Sequence, residues 1–384
     1  MIKADDFISN CLKRGYNFWT GVPCSILTPL INCAIGHPEV EYVGASSEGE
    51  AVAIAIGAHL AGRRPVVICQ NSGLGNMVNP ITSLVHPLRI PFLMIVTRRG
   101  APGVKDAPQH TFMGSITTDL LDVLKIPWEM MPETVEEIPG LIRQADSIMQ
   151  DTGLPYALVM GKGTMEPCPL EKGAESHPCT YSSPKGEFSV PVGSRMKRME
   201  AIGIIRGLLD PEDLVVGTTG KTSRELFSLG HLPNQFYVVG GLGCASGIGL
   251  GLSLNLKKRR VVVLDGDGGV LMKMGSLATI GFYRPPGLIH ILLDNEAHES
   301  TGGQGTCSAG IDFAGIAAAC SYRAVFRCDT ADSLGQAVTE SLSMDGPVMI
   351  HVKIVIGSDP DLPRPNRTPE EYKEEFQRFI QDET

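Results

Sequence analysis

The sequence of 384 residues is 43% hydrophobic and 20% charged, and it carries a net charge of −9 at pH 7. This length is typical of two domains rather than one, and the acidic balance makes nucleic acid an unfavourable partner. No apolar run reaches the roughly 18 residues that span a membrane, and the acidic start at Met1–Asp6 lacks the apolar core of a secretory signal. We therefore expect a cytoplasmic protein that binds neither nucleic acid nor membranes.

Apolar runs and turn residues alternate through the first half, as in a parallel sheet flanked by helices. The pattern predicts strands at residues 18–22, 41–43, 66–70, 92–96 and 156–160. It predicts a helix closed by Gly15, a helix from Pro23 to about Gly36 and a helix over residues 51–61. A long polar loop is expected over residues 97–110.

Residues 162–192 are rich in Pro, Gly, Ser, Lys and Glu and show no apolar period, which is typical of an interdomain linker. We therefore predict a first domain at residues 1–165, a linker at 166–192 and a second domain at 193–384. The ten cysteines form no C-x-x-C pair and are expected to be free thiols in a reducing cytoplasm.

The second half repeats the alternation of helix and strand. The pattern predicts strands at 214–216, 237–239, 261–264, 288–293 and 348–356, and helices at 196–209, 245–254, 270–280, 334–342 and from Pro369 onward. The fold class that we expect is α/β, with two doubly wound parallel-sheet domains.

Two oxygen-bearing side chains follow neighbouring predicted strands of the second half. Asp267 lies in the turn Gly266–Gly269 after one strand, and Asn295 ends the next strand. Both fall at the carboxyl ends of strands, where open α/β sheets bind ligands, and both offer the hard oxygens that Mg²⁺ prefers. The glycines and the following helix favour a phosphate neighbour, so we predict a metal–diphosphate site. The alternative is a surface turn with Asn295 as a helix cap.

Glu48 lies where a predicted strand turns into a helix rich in Ala and Gly. A carboxylate in the first helical turn is often only a capping residue, and Glu50 is a nearby competitor for a functional role. The small residues that follow suit close packing at a subunit interface, which favours a functional role for Glu48.

Cationic side chains gather in the polar loop after the fourth predicted strand. This loop contains Arg99, Lys105 and His110 in an otherwise acidic chain, which suits an anionic substrate. The alternative is a solvated loop with a structural histidine. The earlier glycine-rich turn at residues 70–76 has low specificity on its own.

Residues 217–224, GTTGKTSR, are superficially similar to a phosphate-binding P-loop. The spacing is wrong, because only two residues separate Gly217 from Gly220, whereas the P-loop motif places four residues between its glycines. We exclude ATP hydrolysis, but the backbone and hydroxyl donors of this turn can still hold a diphosphate.

Taken together, these segments resemble the phosphonopyruvate decarboxylase family, short thiamine-diphosphate enzymes without the usual middle domain. The matching segments are 21–23, 48–49, 70–76 (QNSGLGN), 99–110 (RGAPGVKDAPQH), 218–226 (TTGKTSREL), 266–268 (GDG) and 293–304 (LDNEAHESTGGQ). They span nearly the whole chain in the family's order. The resemblance implies decarboxylation of 3-phosphonopyruvate to 2-phosphonoacetaldehyde and CO₂ in phosphonate biosynthesis, with thiamine diphosphate and Mg²⁺ as cofactors.

The resemblance also implies roles for individual residues. Glu48 would bond N1′ of the aminopyrimidine and so assist removal of the thiazolium C2 proton, and His110 would transfer a proton or bind substrate. Mg²⁺ would be bound by the side chains of Asp267 and Asn295 and by the backbone oxygen of Ala297. The implied cofactor contacts are Glu48, Gly73, Thr219, Gly220, Lys221, Thr222, Leu242, Gly266, Gly268, Gly269 and Asn295. The implied substrate contacts are Cys24, Asn71, Ser72, Arg99, Lys105 and His110.

In this family the two halves of each active site come from different subunits. The resemblance therefore implies a homodimer or a higher homo-oligomer, with active sites at the subunit interface and a small anionic 2-oxo acid as substrate. The first domain would bind the aminopyrimidine, and the second would bind the diphosphate and Mg²⁺.

Two departures from the family pattern leave the substrate open. Cys24 stands where the family usually has an acid, and residues 241–244, GLGC, replace the usual Ser-Met-Gly-His. A Pro-Cys pair at this point is more similar to sulfopyruvate decarboxylases, which are the first alternative. A cofactor-binding module without turnover is the second. A dinucleotide-binding oxidoreductase is disfavoured, because Val78 stands where G-x-G-x-x-G requires a third glycine.

Overall fold

The computed structural model describes residues 1–171 and 178–382. The chain divides into two compact units, residues 1–176 and 177–384. Among the helices of the described residues, none combines the length and the apolar character that a bilayer crossing requires.

The first unit contains a six-stranded parallel sheet. Its strands are β1 (Phe18–Gly21), β2 (Glu41–Gly44), β3 (Pro65–Cys69), β4 (Leu93–Thr97), β5 (Trp128–Met130) and β6 (Tyr156–Met160). Its helices are α1 (Ala4–Leu12), α2 (Thr28–Gly36), α3 (Glu48–Leu60), α4 (Leu74–Pro80), α5 (His86–Leu88), α6 (Pro108–Val123) and α7 (Ile138–Thr152), with a 3₁₀ turn at Asn71–Gly73 and a π-helical segment at Ile81–Val85. The strand order is β2-β1-β3-β4-β6-β5.

The second unit contains another six-stranded parallel sheet and one short antiparallel hairpin. Its strands are β7 (Leu214–Gly217), β8 (Gln235–Tyr237), β9 (Val261–Gly266), β10 (Leu288–Asp294), β11 (Ala297–His298), β12 (Gln304–Gly305), β13 (Ala324–Cys328) and β14 (Val348–Lys353). Its helices are α8 (Arg198–Leu208), α9 (Lys221–Ser228), α10 (Ala245–Asn255), α11 (Asp267–Met272), α12 (Gly275–Tyr283), α13 (Phe313–Ala319), α14 (Ala331–Leu342) and α15 (Pro369–Asp382), with 3₁₀ turns at Val192–Ser194, Glu299–Thr301 and Cys307–Gly310. The sheet order is β13-β14-β10-β9-β7-β8, and β11 pairs with β12.

The two large sheets share one topology. Counted along the chain within each unit, both have the strand order 2-1-3-4-6-5. All residues of β3, β4 and β6 are buried, as are all residues of β10 and β14. Parallel strands covered on both faces read as continuous apolar runs, so the predicted α/β fold class with two doubly wound sheets is confirmed.

Several element boundaries differ from the sequence prediction. The helix predicted from Pro23 begins only at Thr28, because a turn over residues 25–27 precedes it. The helix predicted over 270–280 is divided into α11 and α12, since residues 273 and 274 lie outside both. Helix α3 begins at Glu48 rather than Ala51, because Ser47 caps it by accepting a hydrogen bond from the Glu50 amide.

The described ends of the predicted linker associate with the unit next to them. On one side, Ile2 bridges to Met165, and the Asn32 side chain donates a 2.8 Å hydrogen bond to the carbonyl of Cys168. On the other side, Lys185 forms a parallel bridge with Phe326 beside β13. These parts of the linker are therefore packed segments rather than freely extended chain.

Candidate active site

The two predicted metal ligands of the second unit lie at one edge of its sheet. Strand β9 ends at Gly266, and Asp267 is the first residue of α11. Strand β10 ends at Asp294, immediately before Asn295. Gly266 and Leu293 are register partners in the parallel pair β9–β10, so the two ligand-bearing turns are neighbours.

A small cleft of about 80 Å³ gathers the second-unit residues that the sequence singled out. Ten of its lining residues belong to the predicted set: Thr219, Lys221, Thr222, Leu242, Gly266, Asp267, Gly268, Gly269, Asn295 and Ala297. Gly220 instead lines an adjoining cavity of about 580 Å³, which it shares with Lys221 and Arg224. The structure thus brings together residues from four separate strand ends.

Asp267 is 3% exposed and is held by one hydrogen bond from the next loop. The Thr306 hydroxyl donates to Asp267 Oδ2 over 2.5 Å. Burial raises the pKa of Asp267, and the Thr306 hydrogen bond partly opposes that rise. A nearby cation would stabilise the ionised form of this buried carboxylate.

The donor set of this cleft fits Mg²⁺ bound together with a diphosphate. Within the described residues no group of three or more His, Cys, Asp and Glu side chains is placed to hold a metal. Mg²⁺ needs few protein ligands when phosphate oxygens complete its shell, and Asp267, Asn295 and the Ala297 carbonyl could supply three. Thr218 Oγ1, which lines the cleft, is buried without a hydrogen-bond partner in the described chain, so it has a free donor for a phosphate oxygen.

Sequence reasoning missed a buried ionic cluster on the same cleft. Arg198 forms ion pairs with both Glu299 and Glu225, and Lys221 Nζ lies 3.6 Å from Glu299 Oε1. Burial is the largest influence on Glu299, but backbone hydrogen bonds from Ser358 and Gly357 and the charge of Arg198 outweigh it and lower its pKa to about 2. The sequence feature that could have indicated this cluster is Glu299, which lies four residues after Asn295 in the family-like segment 293–304.

In the first unit, the predicted catalytic carboxylate is supported by the glycine-rich turn. Glu48 begins α3, and Asn76 Nδ2 donates to Glu48 Oε2 over 2.7 Å. A Cβ added to Gly73 would lie 2.4 Å from Glu48 Oε1. Only glycine therefore permits the approach of this turn to the carboxylate.

The structure separates Glu48 from its competitor Glu50. Glu50 is fully buried, and its Oε2 accepts hydrogen bonds from the Ser46 amide and the Ser46 hydroxyl. Glu50 thus stabilises the turn before α3, while Glu48 remains partly exposed.

The predicted substrate contacts near β3 are linked by side-chain hydrogen bonds. Cys24 Sγ lies 3.2 Å from Gln70 Oε1, and Gln70 Nε2 donates to the exposed Ser72 hydroxyl. Asn71 is fully buried, and its amide nitrogen donates to the Arg99 carbonyl and the Thr117 hydroxyl. Asn71 therefore holds the β4 loop in place, whereas Ser72 is open to a ligand.

The three residues that the sequence singled out in the β4 loop have different environments. Arg99 forms a two-point ion pair with Asp106, with distances of 3.1 and 2.7 Å, and this pair keeps the pKa of Asp106 well below its usual range. Lys105 is exposed and has no ion-pair partner among residues 1–171 and 178–382. His110 is 9% exposed and lies in the first turn of α6 rather than in a loop.

Comparison with known proteins gives consistent relationships. Residues 2–122 match the N-terminal TPP binding domain of thiamine pyrophosphate enzymes, and residues 216–352 match their C-terminal TPP binding domain. The chain is 44% identical to a phosphonopyruvate decarboxylase of Streptomyces viridochromogenes, covering 99% of this chain and 95% of that protein. It is 29% identical to a sulfopyruvate decarboxylase of Methanosarcina acetivorans, covering 99% and 98% respectively.

Solved structures agree on the fold. The benzoylformate decarboxylase of Polynucleobacter necessarius superposes with a TM-score of 0.73 at 14% identity, covering 94% of this chain and 100% of that chain. At 14% identity, this superposition supports the fold but not the function.

Proposed function

Because the chain belongs to the phosphonopyruvate decarboxylase family of thiamine pyrophosphate enzymes, we propose that it decarboxylates 3-phosphonopyruvate to 2-phosphonoacetaldehyde and CO₂. The reaction is a carboxy-lyase step of phosphonate biosynthesis in the cytoplasm. The observation that carries the proposal is that each unit contains one half of the family's site, with Glu48 against Gly73 in the first unit and Asp267 beside Asn295 in the second.

The second unit would hold the diphosphate and Mg²⁺. Asp267, Asn295 and the Ala297 carbonyl would bind the metal, and the donors of Thr218, Thr219, Lys221 and Thr222 would bind phosphate oxygens. Leu242, which is half-buried on the same cleft, would support the cofactor from below. Bound thiamine diphosphate supplies the electron sink that accepts the electron pair left when CO₂ departs.

The first unit would supply proton control. Glu48 would hold a proton at the aminopyrimidine ring, with Asn76 fixing one carboxylate oxygen and Gly73 leaving room for the other. His110 is mostly buried, and its imidazole has no hydrogen-bond partner in the described part of the chain. It is therefore free to bind substrate or to move a proton.

We assign recognition of the substrate anion to the β4 loop and the turn before α4. Lys105 offers an exposed charge, and Ser72 offers an exposed hydroxyl that is linked to Cys24 through Gln70. Arg99 orders the loop through Asp106 and directs its Nη1 atom toward Ser25, 3.3 Å away. The dianionic phosphonate group would therefore meet the exposed Lys105 and the ion-paired Arg99.

We also propose a homodimer or higher homo-oligomer with active sites at the subunit interface. Helix α6, which carries His110, exposes the apolar side chains Phe112 (75%) and Val123 (77%). The two residues are eleven positions apart in the helix, which places their side chains on the same face. Two large exposed apolar side chains on a helix that carries a site residue are suited to cover by a second subunit.

The proposal is tested by CO₂ release from purified protein with thiamine diphosphate and Mg²⁺. 3-Phosphonopyruvate, 3-sulfopyruvate and pyruvate are compared at equal concentration. A clear preference for phosphonopyruvate is the expected result. Release from none of the three, with cofactor bound, would instead support a cofactor-binding module without turnover.

Sulfopyruvate decarboxylation is the second candidate. It is favoured by Cys24, a thiol at 7% exposure that contacts Gln70 and lies near Thr97, at the position where the family usually has an acid. A preference for sulfopyruvate in the same assay would retain every cofactor role and change only the substrate.

A further inference from the structure

The loop that follows β10 does more than supply two metal ligands. Residues 295–308 contain Asn295 and Ala297, form the β11–β12 hairpin, and return toward α11. Within the same loop lie Glu299 and Thr306, and each contacts one of the two ligand side chains.

Thr306 constrains the Asp267 carboxylate. Its hydroxyl oxygen accepts a 3.3 Å hydrogen bond from the Ser308 amide, and its single proton is donated to Asp267 Oδ2. A hydroxyl has one proton to donate, so this arrangement fixes which carboxylate oxygen is occupied. Backbone amides of Asp267 and Gly268 also hydrogen-bond to this carboxylate, and no side chain of the described residues donates to Oδ1, the oxygen that we expect to face a cation.

Glu299 constrains the Asn295 amide in the complementary way. Asn295 Nδ2 donates to Glu299 Oε2 over 3.1 Å, and a carboxylate can accept only from the nitrogen end of an amide. Asn295 Oδ1 accepts one hydrogen bond from the Ala297 amide and retains a second lone pair. Glu299 thus prevents the amide from presenting its nitrogen where the metal requires oxygen.

Both orienting residues are themselves held firmly. Glu299 Oε1 accepts hydrogen bonds from the amides of Gly357 and Ser358, at 2.9 and 2.8 Å, and Oε2 pairs with Arg198. Thr306 is tied to the loop through its own amide, which donates to the Glu296 carbonyl over 2.9 Å.

We propose that Thr306 and Glu299 are positioning residues that set Asp267 and Asn295 for Mg²⁺, so that this loop prepares the metal site before cofactor arrives. The inference rests on the proposed cofactor role of the second unit. Groups that orient metal ligands typically contribute 10- to 100-fold to metal affinity. An effect of about that size is expected when either hydrogen bond is removed.

The test uses the full-length apo protein and no substrate. Thiamine diphosphate is titrated calorimetrically at a series of Mg²⁺ concentrations into wild type, Thr306→Val, Thr306→Ser and Glu299→Gln. Valine keeps the shape of threonine without its hydroxyl, and serine restores the hydroxyl. In Glu299→Gln an amide donor replaces Oε2, so Asn295 is favoured to turn its oxygen away from the metal.

We expect Thr306→Val and Glu299→Gln to raise the Mg²⁺ concentration needed for half-maximal cofactor binding by about 10- to 100-fold. Saturating Mg²⁺ should restore cofactor affinity, and Thr306→Ser should resemble wild type. The control is Thr301→Val, because the exposed Thr301 hydroxyl bonds only to His298 and Gln304 in the same loop.

Two results would overturn the inference. One is wild-type Mg²⁺ dependence in Thr306→Val. The other is a loss of binding that excess Mg²⁺ does not restore, with a lower melting temperature of the apo protein, because that pattern indicates a structural role. Neither depends on the substrate, so failure of the proposed decarboxylation would leave this test intact.

Discussion

The two units have the same strand order but hold their functional side chains by different means. In both units, the candidate residues follow the first four strands of the sheet. After the second strand, the first unit has Glu48 and the second has Leu242; after the third strand, they have Gly73 and Asp267. A shared scaffold thus fixes the places where ligands bind and leaves the chemistry to the loops.

The site residues of the first unit are held by close backbone contact, and those of the second unit lie beside buried charges. In the first unit, an added Cβ at Gly73 would strike Glu48, and one at Gly100 would lie 2.1 Å from the His110 carbonyl oxygen. In the second unit, Asp294 is fully buried and binds His351 and Lys353, each at 2.8 Å. We therefore expect an added methyl group at Gly73 to damage the first site, and loss of the Asp294 charge to damage the second.

The largest effect should come from mutating one carboxylate in each half-site, because one half-site is expected to control proton transfer and the other to bind the cofactor. We expect Glu48→Gln to lower kcat by about 10²- to 10⁴-fold, the usual range for a residue that controls proton transfer. Cofactor affinity should change little, because Gln keeps the contact with Asn76. Asp267→Asn should give the opposite pattern, with weakened Mg²⁺-dependent cofactor binding. Steady-state rates and calorimetric titration of both variants make the distinction, and an unchanged rate in Glu48→Gln would remove its catalytic assignment.

The next effect concerns the buried charges of the second unit. Asp294→Asn leaves the buried His351 without its anionic partner and leaves Lys353 with Glu296 alone, and we expect the free energy of unfolding to fall by about 3–5 kcal/mol. Its counterpart in the first unit is Asp106→Asn, which breaks the more exposed pair with Arg99 and should destabilise the protein much less. Urea unfolding of both variants measures the difference, and equal losses would contradict the contrast between the units.

The same carboxylate should give a pH signature. Burial alone would raise the pKa of Asp294, but hydrogen bonds and charge from His351 and Lys353 outweigh it and hold that pKa well below its usual range. A lowered pKa stabilises the fold above the unfolded value near 4, and this contribution is lost as the pH falls toward the folded value. The stability advantage of wild type over Asp294→Asn should therefore shrink below about pH 4.

A smaller effect should follow from one added methyl group in the first unit. Gly73→Ala would force the Glu48 carboxylate to move, and a displacement of about 1 Å can cost about 10²-fold in rate. Gly75→Ala is the matched control, because its added Cβ meets nothing within 4 Å in the described residues. Similar rates for Gly73→Ala and Gly75→Ala would show that Glu48 is not held by this close approach.

Much of the fold could be predicted because its signals are local. Apolar runs such as 261–264 mark strands that are covered on both faces, and Asp267 and Asn295 follow directly from where such runs end. The helix starts were less accurate, since the Ser47 cap and the turn before Thr28 depend on hydrogen bonds that no periodicity encodes.

The supporting residues could not be found in this way. Glu299 meets Gly357 across 58 residues of chain, and Thr306 meets Asp267 across 39. Contacts over such separations depend on topology rather than on local pattern. The role of Arg99 was also hidden, because the sequence does not show that its guanidinium is paired with Asp106 while Lys105 stays exposed.

The smallest expected effect bears on the substrate itself. Lys105 is exposed, and an exposed ion pair contributes about 0–1 kcal/mol, so Lys105→Met should lower kcat/KM by no more than about fivefold for a singly charged sulfonate. A phosphonate with a second charge near neutral pH should lose about twice that free energy, and added salt should reduce both losses. The exposed Lys13 after α1 provides the control variant Lys13→Met. Because Arg99 is already paired with Asp106, we expect selectivity between the two anions to come from the exposed Lys105. Equal losses of kcat/KM for both substrates would show that Lys105 does not distinguish the charge of the remote anion. Arg99 would then be the residue assigned to that role.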